Sequence, residues 1–502
     1  MKILSPSQVR ALDQYTIENE PIKSIDLMER ASSAFVKWFI KQFPDTEKCP
    51  IKVFCGPRNN GGDGLAIARL LNRKYYGVTV YVCQISSNQS PDFKKNLKRL
   101  PSRRGVPVIE LRDGSELPTF EKKAILIDAI FGSGLSRPVT GYWATLLEYL
   151  NQQKNTKVAV DIPSGLFAEK PTTSTSILAD YTLSFELPKL AFLLPENQDR
   201  VGKVFIQPIG LHPTFIRQEK TDKLLITKPM VASFFKKRAK FSHKGTFGHA
   251  LLWMGSKGKI GAAVLATKAC LRSGAGLTTV YAPECGYNIL QISCPEAMTL
   301  MDKDTDFLTN IPDLTSYKAI GLGCGIGQTA ATEKALFKLI QTATIPLVVD
   351  ADALNLLAKA PEALSNLPAN SILTPHPKEF ERLFGKADND FDRLVLLKKQ
   401  ATQLNCIIVL KGANTCIAMP NGNLYFNSTG NPGMAAGGSG DVLTGILTGL
   451  LAQGYSPKEA AILGVYLHGV AGDKAAEVSG QAALIAGDLV TYLGKAMLTL
   501  GC

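Results

Sequence analysis

Apolar residues recur along this chain in two rhythms. At the start the rhythm is helical: Ser5 stands where a helix cap is needed and Pro6 suits the first helical position. IDLMERASSAFVKWFI (25–40) then spaces its apolar residues by three and four. From residue 51 the rhythm changes to short, β-branched runs: IKVFC (51–55), VTVYV (78–82), VPVIEL (106–111), AILI (124–127) and KVAV (157–160). Stretches long enough for helices separate them. Short apolar strands alternating with helices predict a parallel sheet with helices on both faces.

The polar and basic segment HPTFIRQEKTDKLLITKPMVASFFKKRAKFSHKG (212–245) interrupts this rhythm, which then restarts. HALLWMG (249–255), LTTVYA (277–282), KAIGLG (318–323), PLVVD (346–350), SILTP (371–375) and CIIVLKG (406–412) form a second set of predicted strands. TCIAMPNGNLYFNS (415–428) places a PNGN turn between two apolar runs and reads as a hairpin. No internal repeat is visible. The expectation is therefore two different α/β domains, residues 1–215 and 241–502, joined by a linker over 216–240.

Composition narrows the classes. The length of 502 residues exceeds three times the prior of roughly 150 per domain. The net charge of +13 divides almost evenly, +7 over residues 1–222 and +6 over the remainder, whereas a nucleic-acid binder concentrates its charge. The densest basic stretch, FKKNLKRLPSRRG (93–105), lacks interleaved aromatics and reads as a solvated helix face. No nucleic-acid partner is expected, and the basic balance suits phosphate-bearing small molecules. Ten cysteines without a CxxC pair read as reduced thiols. The N-terminus has no apolar signal core and no apolar run approaches a membrane span, so a cytoplasmic chain without a membrane partner is expected.

Three strand ends in the first half carry unusual loops. IKVFC runs into GPRNNGGDG, AILI into DAIFGSGLSRP, and KVAV into DIPSG. In a doubly wound sheet ligands bind outside the carboxyl ends of the strands, so these loops should converge. Gly61, Gly62 and Gly64, with Gly132 and Gly134, would let backbone amides approach an anion at a helix N-terminus. Asn60, Asp128 and Ser164 offer hard oxygen ligands for a cation or a polar substrate edge. Asp161 follows a buried strand, where a carboxylate can be partly desolvated and act as a base. Each lone aspartate could equally be a strand-end cap; three such loops together favour a site.

These residues resemble the N-terminal domain of the NAD(P)H-hydrate epimerase family, whose hallmark is the NNGGDG loop; the likeness extends over LMERAS, DAIFGSGL and VDIPSG, about residues 1–215. The resemblance implies a Rossmann-like three-layer fold and the interconversion of R and S forms of NADH or NADPH hydrated at carbon 6. It implies that Asn59, Asn60, Gly61, Gly62 and Asp63 bind substrate, with Gly132, Ser133, Gly134, Leu135, Ser136, Arg137, Pro138 and Asp161. It implies that Asn60, Asp128 and Ser164 hold potassium. Arg58 stands where the family usually has glycine, and would add a phosphate contact or narrow the loop.

The second half has neither a P-loop nor a GxGxxG fingerprint. It has NPGMAAGGSGDVLTGILTGLL (431–451), a glycine-rich turn opening a helix. Gly437, Gly438 and Gly440 would present amides to an anion there, and Asp441 would take the proton from an attacking hydroxyl. GLGCGIG (321–327), VVDADALNLL (348–357), LTPHPKEFERL (373–383) with His376, and VLKGANT (409–415) with Lys411 follow predicted strands. A tight helix–helix turn and a structural histidine are the plainer readings of the glycines and of His376.

Together these segments resemble the ribokinase-like superfamily and, within it, the NAD(P)H-hydrate dehydratase family, over about residues 225–500. The resemblance implies an α/β sandwich that dehydrates the S hydrate while hydrolysing ADP, with magnesium. It implies that Ala262 or Ala263, Gly325, His376 and Asp441 contact the hydrated cofactor. Lys411, Gly412, Ala413, Asn414, Thr415 and Gly440 would bind the nucleotide. Ala436 replaces a threonine common before the glycines. The expectation is a bifunctional repair enzyme acting on hydrated NADH or NADPH and ADP, with its apolar N-terminal helices a candidate contact in a homo-oligomer. A ribokinase-like small-molecule kinase carrying an N-terminal interaction module is the alternative.

Overall fold

Alternation along the strands builds the core of each half. The computed structural model describes residues 1–44, 49–100 and 105–501; residues 101–104 of the basic stretch, and Cys502, lie outside the described residues. The chain divides into two compact units, one chiefly Lys2–Thr221 and the other chiefly from Asp222 onward.

Among the described residues, the first unit holds β1 (Ile51–Cys55), β2 (Val78–Cys83), β3 (Val108–Leu111), β4 (Ile125–Ala129), β5 (Lys157–Val160), β6 (Tyr181–Phe185) and β7 (Lys203–Gln207). All are parallel, in the order β3-β2-β1-β4-β5-β6-β7. Val53 and Ile127 face one core with Phe35, Phe39, Leu65 and Leu71 from covering helices. Their neighbours Phe54 and Leu126 face the other, with Leu146, Leu147 and Leu150. A sheet covered on both faces requires this, because successive side chains point to opposite sides.

The second unit contains β8 (Lys223–Leu225), β9 (His249–Trp253), β10 (Leu277–Ala282), β11 (Met298–Met301), β12 (Ala319–Leu322), β13 (Leu347–Val349), β14 (Ile372–Leu373), β15 (Ile407–Leu410), β16 (Cys416–Ala418) and β17 (Leu424–Phe426). Their order is β11-β10-β9-β12-β13-β14-β15-β16-β17-β8. Among the described residues only the β15–β16 and β16–β17 pairs are antiparallel. Leu252 and Val280 pack toward Ile446 and Leu447 on one face, Leu251 and Ile320 toward Leu336 and Leu354 on the other.

Four strands escaped the sequence reading. β7 and β11 are partly exposed edges that need no apolar run. β6 carries Thr182 and Ser184, whose hydroxyls are satisfied locally on Val201 and Leu187 carbonyls. β8 lies inside the segment expected to be a linker. Residues 216–240 instead end the helix Pro213–Gln218, add β8 beside β17 and form the helix Lys228–Phe234. Their flanking lysines hid Ile226 and Val231, which are buried in the second core.

Ser5 caps the helix Pro6–Asn19 with a reciprocal Gln8 bond, as its spacing predicts. Leu12 of this helix, and Leu27, Phe35 and Phe39 of Ser24–Gln42, are buried within their own unit. Lys94, Lys95 and Lys98 of the basic stretch are exposed on the helix Pro91–Lys98. The nine described cysteines are free thiols. Among the described residues no helix is long and apolar enough to cross a membrane.

Candidate active sites

In the first sheet the chain reverses its winding between β1 and β4, and the loops after both strands flank that switch point. A cavity of about 980 Å³ opens there. Pro57, Arg58, Asn59, Asn60 and Asp63 line it from the first loop, Gly132, Ser133, Gly134, Leu135 and Arg137 from the second, and Asp161 from the third. The three loops therefore converge as the strand-end argument requires.

Asp161 has φ 66°, a conformation that costs a non-glycine residue roughly 1 kcal/mol or more. Its surroundings hold it there. The Phe185 amide donates to its Oδ1 at 3.1 Å and Lys189 forms an ion pair with it. Lys189 is itself buried and donates to Ser184 Oγ at 2.7 Å, so its ammonium depends on these two acceptors. Sequence reasoning missed Lys189, which follows β6 in an apolar turn, and Asp13, which enters the cavity wall from the N-terminal helix.

Several expected ligand contacts have another explanation. Gly61 and Gly62 do not line the cavity. A Cβ on Gly61 would meet the Gly56 carbonyl oxygen at 1.7 Å, and one on Gly62 would meet the Met28 side chain at 2.9 Å. These glycines let the helix Asn59–Arg73 sit against the strand end. Ser136 and Pro138 are exposed outside the cavity wall.

Asp128 and Ser164 lie buried behind the loops. Ser164 donates through its amide at 2.7 Å and its hydroxyl at 2.5 Å to Asp128, and the Ile130 amide adds a third bond. Burial pushes the Asp128 carboxyl up to about 6, with these bonds opposing it. Asn60 Nδ2 donates to the Phe131 carbonyl, while its buried Oδ1 has no partner. An orphaned amide oxygen beside hard oxygen donors fits a cation of low charge density.

The second unit repeats the topology: its strand order reverses between β9 and β12. The loop after β12 brings Gly325, φ 65°, against the start of the helix Ile260–Ser273, where an added Cβ would lie 3.1 Å from Ala262. Ala263 is fully buried in the core. Helical geometry turns it away, so of the two alanines Ala262 is the one that offers side-chain surface here.

The helix Ser439–Ala452 starts after Gly438, φ 89°. Asp441 in its first turn is pushed up to about 6 by burial, opposed by a Cys324 hydrogen bond and reinforced by the charge of Asp350. Asp350 is almost completely buried and accepts from Lys411 Nζ at 2.8 Å and Thr444 Oγ1 at 3.0 Å. Burial alone would lower the Lys411 ammonium, but Asp350 and Glu379 more than offset it and hold it above its ordinary value. Gly440 adjoins this pair: its Cβ would stand 3.2 Å from Asp350 Oδ2 and 3.3 Å from Lys411 Nζ.

His376 caps the helix Pro377–Phe384, its Nδ1 accepting from the Lys378 and Glu379 amides. Burial and the charge of Lys411 lower its pKa, which favours the neutral ring. Gly412, Ala413, Asn414 and Thr415 form the turn after β15, where the Gly412 amide donates to Thr415 Oγ1 at 3.3 Å. Half-buried His468, missed in the sequence, supports the glycine-rich turn by a 3.0 Å bond to the Ser439 carbonyl, and desolvation lowers its pKa to about 4. Among the described residues no cluster of three His, Cys, Asp or Glu forms a ready metal cage.

Comparison with known proteins covers both units. Residues 250–495 match the family described as NAD(P)H-hydrate dehydratase, and residues 24–191 match that described as YjeF-related protein N-terminus. The chain is 36% identical to the bifunctional NAD(P)H-hydrate repair enzyme of Moorella thermoacetica, over 98% of this chain and 96% of that one. A ribokinase-like superfamily protein from Enterococcus faecalis is 30% identical over 56% of this chain and 98% of its own, with a TM-score of 0.50. An ADP/ATP-dependent NAD(P)H-hydrate dehydratase from Bacillus subtilis, crystallised with ATP and Mg2+, is 33% identical over 55% of this chain and 98% of its own, with a TM-score of 0.49. With both units matched in one chain, this protein belongs to the bifunctional NAD(P)H-hydrate repair enzyme family.

Proposed function

We propose that the first unit interconverts the R and S forms of hydrated NADH or NADPH. The second, on this reading, dehydrates the S form with hydrolysis of ADP to AMP and phosphate. The observation that carries the proposal is the similarity to a bifunctional relative over nearly the whole chain, with strand-end carboxylates present in both units. The fusion has a chemical logic, since a stereospecific dehydratase leaves one epimer behind unless an epimerase supplies it. The reading sets the enzyme in the cytoplasm, where thiols stay reduced.

In the first cavity Asn59, Asn60 and Asp63, with Gly132 to Leu135 and Arg137, surround the hydrated ring and its phosphates, and Asp161 is the proton-transfer base. Asn60, Asp128 and Ser164 would hold potassium, which supplies a fixed positive charge behind the loop. In the second site Ala262, Gly325 and His376 hold the hydrated cofactor. Lys411 and the turn through Thr415, with Gly440, bind the nucleotide, and magnesium shields its phosphates. Asp441 takes the proton from the carbon 6 hydroxyl as it attacks phosphorus. Phosphate then leaves, pushed by the ring nitrogen, and loss of a proton from the adjacent carbon restores the reduced ring.

The test is to incubate mixed epimers of hydrated NADH with ADP and follow absorbance of the reduced nicotinamide. Complete conversion is expected. Arrest at about half would remove the epimerase, and no conversion, with a phosphorylated product instead, would favour a kinase.

A further inference from the structure

One wall of the first cavity comes from outside the three loops. Val9, Asp13 and Ile17, with Arg10 and Gln14, form one face of the helix Pro6–Asn19 and line it. The two carboxyl groups that matter differ in what holds them. Asp161 is tied to Lys189, whereas the half-buried Asp13 carboxyl has no hydrogen-bond or ion-pair partner among the described residues.

We propose that Asp13 is the proton donor for departure of the carbon 6 hydroxyl, working with Asp161 as the acceptor when water adds back. This rests on the epimerase reading above. Asp13 gives its proton to the hydroxyl oxygen; the carbon–oxygen bond breaks with its electron pair on oxygen, and water leaves. The lone pair of the ring nitrogen closes a carbon–nitrogen double bond. Water adds to the other face, the double-bond pair returns to nitrogen, and the proton released by that water passes to Asp161. That proton returns through solvent to Asp13. No oxidant or further reactant is needed.

The electrostatics agree with the division of roles. Burial pushes Asp13 up to about 7, the Asp161 charge adding to this and Lys189 opposing it. Asp63 and the guanidinium groups of Arg10, Arg58 and Arg137 also face the cavity. Asp63 is raised well above its ordinary value by burial and by the charges of Asp161, Asp13 and Asp92, which leaves it a poorer donor near neutral pH.

The experiment uses the full-length chain without nucleotide and follows exchange between separated epimers by chromatography as a function of pH. Wild-type kcat should fall as pH rises through about 7. Asp13→Asn should lower kcat about 10²-fold with little change in KM and abolish that limb, while Asp13→Glu should keep the limb at an intermediate rate. Dehydration of the S form with ADP should be unchanged in both, and the thermal unfolding of the first unit should be unchanged as well, which controls for folding. If Asp13→Asn does not fold, Asp13→Glu decides alone, because exchange at the wild-type rate with the longer side chain contradicts the assignment. Wild-type exchange rates in Asp13→Asn, or loss of the limb in Asp63→Asn instead, would overturn the proposal. Absence of exchange in the wild-type chain would overturn the epimerase reading itself.

Discussion

The two sites share a device and use it differently. Each places a lysine against a strand-end carboxylate next to strained backbone: Lys189 with Asp161, φ 66°, and Lys411 with Asp350, which precedes Ala351, φ 53°. Each also has a second carboxyl pushed up by burial, Asp13 in one and Asp441 in the other. The difference is exposure. Asp161 lines a cavity, but Asp350 is about 1% exposed and spends its oxygens on Lys411 and Thr444. An aspartate ending a parallel strand can thus be a reacting group or an anchor, and its partners decide which.

The strongest way to break this contrast is to remove the anchor. Asp350→Ala leaves Lys411 buried without its main partner and should destabilise the second unit by about 3–5 kcal/mol, read from its denaturant midpoint. A loss of activity without loss of stability would make Asp350 a reacting group instead.

Next in size, Asp441→Asn should reduce dehydration by roughly 10²-fold or more while epimer exchange continues. The base must be ionised and its carboxyl is raised to about 6, so wild-type dehydration should fall as pH drops through that value. A kcat/KM profile flat across this region would contradict the assignment.

The glycines sharpen the comparison further. Gly61→Ala forces a Cβ onto backbone and should cost about 1–3 kcal/mol in the first unit, seen as a lowered Tm. Gly440→Ala meets the side-chain ends of Asp350 and Lys411 and no backbone, so it should leave Tm within a few degrees and raise KM for ADP. The smallest effect concerns the cation. Replacing potassium by lithium should slow epimer exchange severalfold and leave dehydration unchanged; equal slowing of both would remove the assignment to Asn60, Asp128 and Ser164.

Much of this was legible in the chain. The β-branched runs fixed the central strands because a strand buried on both faces must be apolar throughout. The loops after β1, β4 and β5 announced the first site by their residue types. What escaped was set by tertiary partners. Nothing in PSQVRALDQYTIEN marks Asp13 as a cavity residue, since helix packing against the loops puts it there. Lys189 reads as a surface lysine until β6 and Asp161 enclose it. The glycines of NNGGDG looked like ligand contacts because close approach to a phosphate and close approach to backbone demand the same residue.

The central claim is that one chain carries two separable active sites. It is tested most directly by giving Asp161→Asn and Asp441→Asn, singly and mixed, to both epimers of hydrated NADH with ADP. Asp161→Asn should stop near half conversion and Asp441→Asn should equilibrate epimers without forming NADH, while the mixture should reach completion. Full conversion by Asp161→Asn alone at the wild-type rate, or failure of the mixture to pass half, would contradict the account.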